Sequence, residues 1–261
     1  VLGPVAIAVF LSVAPSASAL TEVSVKGASG GGGIYAGKAE CPSGMQAVSG
    51  GFTTSVGGYA TINKATGDGW RVQALDTSSL TVYAFCSRRL DPSRASKSVS
   101  FPPNSFGVER TAKAACKRGR AVAGGWAFSP AGGAADNQPV FKSRPRGDDK
   151  WSVTAFNDSG GEARDRIKAF AYCLRGPRRI VTGRAPIAAG GNGDPDATCL
   201  PGTQLLGGGF TTSPKSDFDN ETGPDLFYAA STRTDPTEWS VFAHNYSDVG
   251  GTTTAIAVCR P

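Results

Sequence analysis

Three times along this chain the same landmarks recur in the same order, and that repetition limits the fold more than any other feature. The first copy runs Cys41-Pro-Ser-Gly44, Gly50-Gly51-Phe52, Trp70-Arg-Val-Gln-Ala74 and Val82-Tyr-Ala-Phe-Cys86. The second has Cys116-Lys-Arg-Gly119, Gly124-Gly125-Trp126, Trp151-Ser-Val-Thr-Ala155 and Ala169-Phe-Ala-Tyr-Cys173. The third has Cys199-Leu-Pro-Gly202, Gly208-Gly209-Phe210, Trp239-Ser-Val-Phe-Ala243 and Ala255-Ile-Ala-Val-Cys259. All 6 cysteines and three of the 4 tryptophans take matched positions. The units are placed at 20–95, 96–179 and 180–261.

Each copy reads as β structure. Trp151, Val153, Ala155 and Asn157 alternate with Ser152, Thr154 and Phe156, the period of two of a strand, whereas Ile167 to Cys173 is apolar on both faces. Gly67-Asp-Gly69, Arg146-Gly-Asp-Asp149 and Thr234-Asp-Pro-Thr237 lie where hairpin turns would join two such strands. No segment sustains a helical period. The fold class is therefore all-β, with three tandem units packed either as a pseudo-threefold, β-prism-like assembly or as a compact row of small sandwiches.

Six cysteines allow 15 pairings. If the strands of a unit form an antiparallel meander, its first and last cysteines finish at the same end. That parity pairs Cys41 with Cys86, Cys116 with Cys173 and Cys199 with Cys259. Each bridge would close a loop worth roughly 4 kcal/mol in the chain-entropy model, which matters to units of this size. An oxidising compartment is implied. Residues 1–19 agree: they are uncharged, apolar and end in Ala17-Ser18-Ala19, a small-x-small site for signal peptidase, so the mature, secreted chain is expected to begin at Leu20. Gly3, Pro4 and Pro15 leave the apolar run too short to span a bilayer, and no later segment reaches that length.

The combination CPxG, Gly-Gly-aromatic, WxVxA and a strand closing in Cys resembles exported, three-repeat, disulfide-containing proteins of unknown function from high-GC Gram-positive bacteria. The resemblance covers nearly the whole mature chain and implies export and repetition, with no activity attached. The excess of arginine over lysine suits such a genome, and Lys117-Arg118 in place of Pro42-Ser43 departs from the pattern.

Nothing in the sequence assembles a catalytic constellation. Asn157-Asp-Ser159-Gly-Gly161 looks like the surroundings of a nucleophilic serine, but the 1 histidine, His244, lies downstream, and the sister units carry turns at the same place. His244 aligns with Leu75 and Phe156, an ordinary strand position. The recurring tryptophans read as core, not as a sugar platform. There is no CxxC and no cysteine is left over for a metal. Asp217, Asp219, Glu221 and Asp225 space oxygens as a calcium loop would, yet the glycine comes one place late and the bidentate glutamate is missing, so no cofactor is assigned and Ca²⁺ stays a weak candidate.

Charge gives the strongest functional lead. The units carry net +2, +9 and −5, which together make the +6 of the chain. Meander parity places the second unit's Lys117, Arg118, Arg120, Arg144, Arg146, Arg175, Arg178 and Arg179 at its cysteine end, a rim able to grip carboxylate or phosphate in forked geometry. The expected function is a secreted, non-enzymatic binding protein. Its partner would be an anionic cell-envelope polymer, an acidic polysaccharide, an acidic protein or extracellular nucleic acid. Internal pairing of the +9 unit with the −5 unit is the competing use of those charges. The rival function is a protease inhibitor or toxin-associated interaction protein acting through the insertions at 129–139 and 213–225, since such loops on a repeat scaffold collect contacts.

Overall fold

The computed structural model describes residues 20–102, 107–129, 139–157, 165–213, 226–246 and 248–261. Among them every regular element is a strand. The first unit supplies β1 (Thr21–Lys26), β2 (Ala28–Gly31), β3 (Ile34–Ala39), β4 (Gln46–Thr54), β5 (Tyr59–Thr66), β6 (Gly69–Leu75) and β7 (Leu80–Ser87). The second supplies β8 (Ser93–Ser100), β9 (Val108–Ala115), β10 (Arg120–Ser129), β11 (Val140–Arg146), β12 (Lys150–Asn157) and β13 (Arg166–Leu174). The third supplies β14 (Arg179–Ile187), β15 (Asn192–Gly193), β16 (Asp196–Thr198), β17 (Gln204–Ser213), β18 (Leu226–Asp235), β19 (Glu238–Asn245) and β20 (Gly251–Arg260). Hairpins β5-β6, β11-β12 and β18-β19 form at the three turn sequences expected.

These strands make three sheets, and each sheet is shared by two units. One has the order β1-β7-β4-β18-β19-β15, with β16 also on β19; the second runs β2-β3-β6-β5-β10-β13-β8; the third runs β14-β20-β17-β11-β12-β9. The single-sheet meander assumed for each unit does not form. Every unit instead sends its cysteine-closing strand and its Gly-Gly-aromatic strand to one sheet and its hairpin to another. Unit 1 shares with 2, 2 with 3 and 3 with 1, which closes a pseudo-threefold ring and excludes a row of separate sandwiches. The physical reason is area: a unit this small cannot cover both faces of its own sheet.

The repeated motifs encode this ring. At the three joints β4 meets β18, β10 meets β5 and β17 meets β11, with Phe52 opposite Ser231, Trp126 opposite Asn63 and Phe210 opposite Ser143. A side chain on the first glycine of each pair would overlap a tryptophan ring: Gly50 meets Trp70, Gly124 meets Trp151 and Gly208 meets Trp239. A side chain on the second would strike the neighbouring unit's backbone, Gly51 against Ser231, Gly125 against Asn63 and Gly209 against Ser143. The third residue turns inward. Trp126 makes edge contacts with Phe52 and Phe210 at ring separations of 6.1 and 5.8 Å.

Trp70, Trp151 and Trp239 are buried, as expected. Each indole N–H donates to its own unit's hairpin: to Asn63 Oδ1 at 2.5 Å, Ser143 Oγ at 2.9 Å and Ser231 Oγ at 3.2 Å. A buried indole therefore leaves no donor unpaired. Further bonds cross between units: Ala65 N–H donates to the Tyr172 hydroxyl at 2.7 Å and Ser49 Oγ to Leu206 O at 2.6 Å. The sulfurs bridge Cys41 to Cys86, Cys116 to Cys173 and Cys199 to Cys259, the pairing reached from parity. It survives the split of the units because the closing strand and the opening cysteine still return to one end.

Candidate anion-binding site

The second unit's cysteine end is assembled by backbone bonds. Cys116 N–H donates to Asp149 O and Ala121 N–H to Asp148 O, laying the 147–149 turn on the segment from Cys116 to Arg120, while Arg120 pairs with Leu174 across the sheet. This sets Lys117, Arg118 and Arg120 beside the turn that follows Arg146, with Arg175 just past Cys173, while Arg179 stands opposite Cys259 on the third sheet. The arginines do not all have the same task.

Arg178 bonds inward. Its guanidinium donates to Ala121 O and Gly147 O, and burial, with Asp148 and Asp149 acting against it and Arg120 adding to it, lowers its pKa. It ties the turn to β10 and has little left for a ligand, so its place in the expected rim is corrected to that of a structural bolt. Arg120 lies 3.5 Å from Asp148, both well exposed, an ion pair worth at most about 1 kcal/mol. Arg144 sits elsewhere, on the outer face of the third sheet, because β11 turns it outward before the hairpin. Burial, then Arg146, lowers its pKa.

Beside these groups a cavity of about 500 Å³ opens at the cysteine end. Arg118 and Arg175 line it together with Arg89 and Arg260, beside Leu90 and Leu174, and Asp91 is the one carboxylate among the described residues of its wall. Arg89 belongs to the first unit and Arg260 to the third. Sequence reasoning confined to the most basic unit missed both. The signal was present: each closing cysteine is followed within three residues by arginine, in Cys86-Ser-Arg-Arg89, Cys173-Leu-Arg175 and Cys259-Arg260. Four forked donors with a single acid favour a carboxylate, sulfate or phosphate.

Two further basic surfaces lie on sheet faces, each at a joint. On the third sheet a cleft of about 460 Å³ is lined by Lys142, Arg144, Arg184 and four threonines. Lys142, Thr211, Thr254 and Arg184 stand opposite one another on β11, β17, β20 and β14. On the second sheet, Lys64, Arg94 and Lys168 lie 5.5, 5.7 and 5.4 Å from the centroid of one ring, that of Phe170. Lys64 reaches it across Gly125, which has no side chain to intervene. Burial, then Arg71, Arg94 and Lys168, push the Lys64 ammonium below its ordinary pKa. Charges within these distances of one centroid are at most about 11 Å apart, where each pair still repels by roughly 0.4 kcal/mol in water. An exposed cation–π contact returns only about 0.5–1 kcal/mol.

Ion pairs between described residues join Lys38 to Glu40, Arg120 to Asp148 and Arg233 to Glu22. Only the last crosses units, and its cation comes from the acidic third unit. Arg233 is buried, donates to Leu20 O through both terminal nitrogens at 3.3 Å and covers the Phe85 ring at 4.6 Å.

Other sequence candidates are placed as follows. His244 is half-buried on β19, its Nδ1 2.6 Å from Asn192 Oδ1 and its ring against Tyr246. Ser159, residues 130–138 of the insertion expected at 129–139 and the acidic residues Asp217, Asp219, Glu221 and Asp225 lie outside the described residues, as does the segment 1–19 expected to be a leader. Among the described residues no group of three or more His, Cys, Asp or Glu side chains is placed to hold a metal, and no helix is long and apolar enough to cross a membrane.

No protein-family model matches the chain, and no curated protein matches its sequence. Among solved structures, that of FdeC, an Escherichia coli adhesin, is similar at 12% identity over 88% of this chain and 90% of its own, with a TM-score of 0.20. A likeness of that size carries no argument about function.

Proposed function

We propose that the protein is a secreted, non-enzymatic binding protein that holds an anionic extracellular polymer or acidic partner in the arginine groove at the cysteine end. One observation carries the reading: Arg89, Arg118, Arg175 and Arg260, drawn from all three units, line one cavity whose described residues include a single carboxylate. The three disulfides support an oxidising compartment. The partner then reaches across the pseudo-threefold end and does not rest on the second unit alone.

Retention on immobilised heparin tests this. With Arg89, Arg118, Arg175 and Arg260 changed to Ala, elution moves to clearly lower salt while the melting temperature holds. Unchanged retention rejects the groove.

A further inference from the structure

The outer face of the second sheet carries a cluster that the groove reading leaves unused. Lys64 and Arg71 stand opposite each other on β5 and β6 of the first unit. Lys168 and Arg94 come from β13 and β8 of the second unit. Three of the four surround the Phe170 ring, which is itself buried and fixes where they stand. We propose that this four-cation cradle at the joint of units 1 and 2 is a second, discrete anion site, taking a phosphate or sulfate ester group.

The argument is one of balance. Like charges gathered on one ring repel one another, and a ring with one face against its sheet cannot satisfy three cations at once. Arg94 spends one donor on Ala65 O at 3.3 Å, which orients its guanidinium without neutralising it. Burial and then three neighbouring cations lower the Lys64 pKa, and among the described residues no carboxylate is within ion-pair distance of it, which leaves the cluster suited to an anion from outside the chain. A tetrahedral oxyanion has several oxygens to share among donors arriving from four strands, whereas a lone carboxylate has two. Gly125 leaves the floor of the cradle open between Lys64 and Phe170, and a side chain there would meet Asn63 O and could not be accommodated.

The equivalent places on the other sheets are built differently. Where the second sheet has Lys64, Gly125 and Phe170, the third has Arg144, Gly209 and Ile256, and the first has Thr232, Gly51 and Tyr83. The ring with its cations occurs at one joint only of the three.

The test uses the full chain with its lysines ¹³C-methylated, titrated at constant ionic strength with inorganic phosphate, inorganic sulfate and a heparin-derived oligosaccharide. The Lys64 and Lys168 signals are expected to shift saturably, at least several-fold more than those of Lys26 and Lys113. In the groove-free R89A/R118A/R175A/R260A background the anion still raises the melting temperature, and adding K64Q/K168Q to that background abolishes the rise. Saturation by the inorganic ions supports a site for the free group, and saturation by the oligosaccharide alone supports a polymer-borne ester. The R89A/R118A/R175A/R260A variant keeps the response, which separates this site from the groove. Lysine signals drifting together without saturation, or K64Q/K168Q leaving the thermal response of the groove-free chain intact, would overturn the proposal.

Discussion

The inner and outer faces of the three joints follow opposite rules. Inside, Asn63, Ser143 and Ser231 do the same thing, each accepting a hydrogen bond from a buried tryptophan. One residue later and on the other face stand the cations Lys64 and Arg144, each amid different neighbours, and the uncharged, buried Thr232. Adjacent strand residues face opposite ways, so a single step separates a position fixed by contact from one free to vary. The lesson is that this chain repeats its architecture and individualises its surface. Function is to be sought in what differs between copies, except where a surface residue is itself repeated, as with the arginines that follow the closing cysteines.

Breaking the inner face should have the largest effect. Gly124→Val places a branched side chain inside the Trp151 ring, with no far end of a flexible side chain to yield, and should abolish the cooperative unfolding transition. Trp151→Ala empties a fully buried site and should cost about 3–5 kcal/mol, read as a shift in denaturant midpoint. Opening the Cys116–Cys173 bridge by double Ser substitution should cost about 4 kcal/mol, since its loop of 57 residues is then released in the unfolded chain.

The next prediction sharpens the comparison within the cysteine end. Arg178→Ala loses two charge-assisted bonds to carbonyl oxygens and should cost about 1–3 kcal/mol of stability. Arg175→Ala, exposed in the groove wall, should change stability by less than about 0.5 kcal/mol while weakening retention on heparin. Equal behaviour of the two would remove the distinction between bolt and ligand arm.

The sequence made the fold class, the hairpins and the disulfides readable because each depends on local pattern or on parity. Trp70, Trp151 and Trp239 announced a shared core by recurring. The exchange of hairpins between units was not readable, since β4 pairs with β18 across more than 170 residues and nothing local names the partner. The arginine end was readable in part: Arg118 and Arg175 follow from parity, whereas Arg178 aims inward for reasons visible only once Ala121 O and Gly147 O are in place. Arg144 failed because parity fixes an end of a strand and not the face on which a side chain emerges. Lys64, Arg94 and Lys168 are scattered in sequence and meet only because two units share a sheet.

The most direct measurement compares two double variants for affinity to a heparin oligosaccharide across a salt series. R89A/R260A removes the arms contributed by the first and third units, and R118A/R175A those of the second. The account predicts that both weaken binding comparably and that each lowers the salt slope by about two. Binding lost only with R118A/R175A would return the partner to the second unit alone and contradict a groove built by all three.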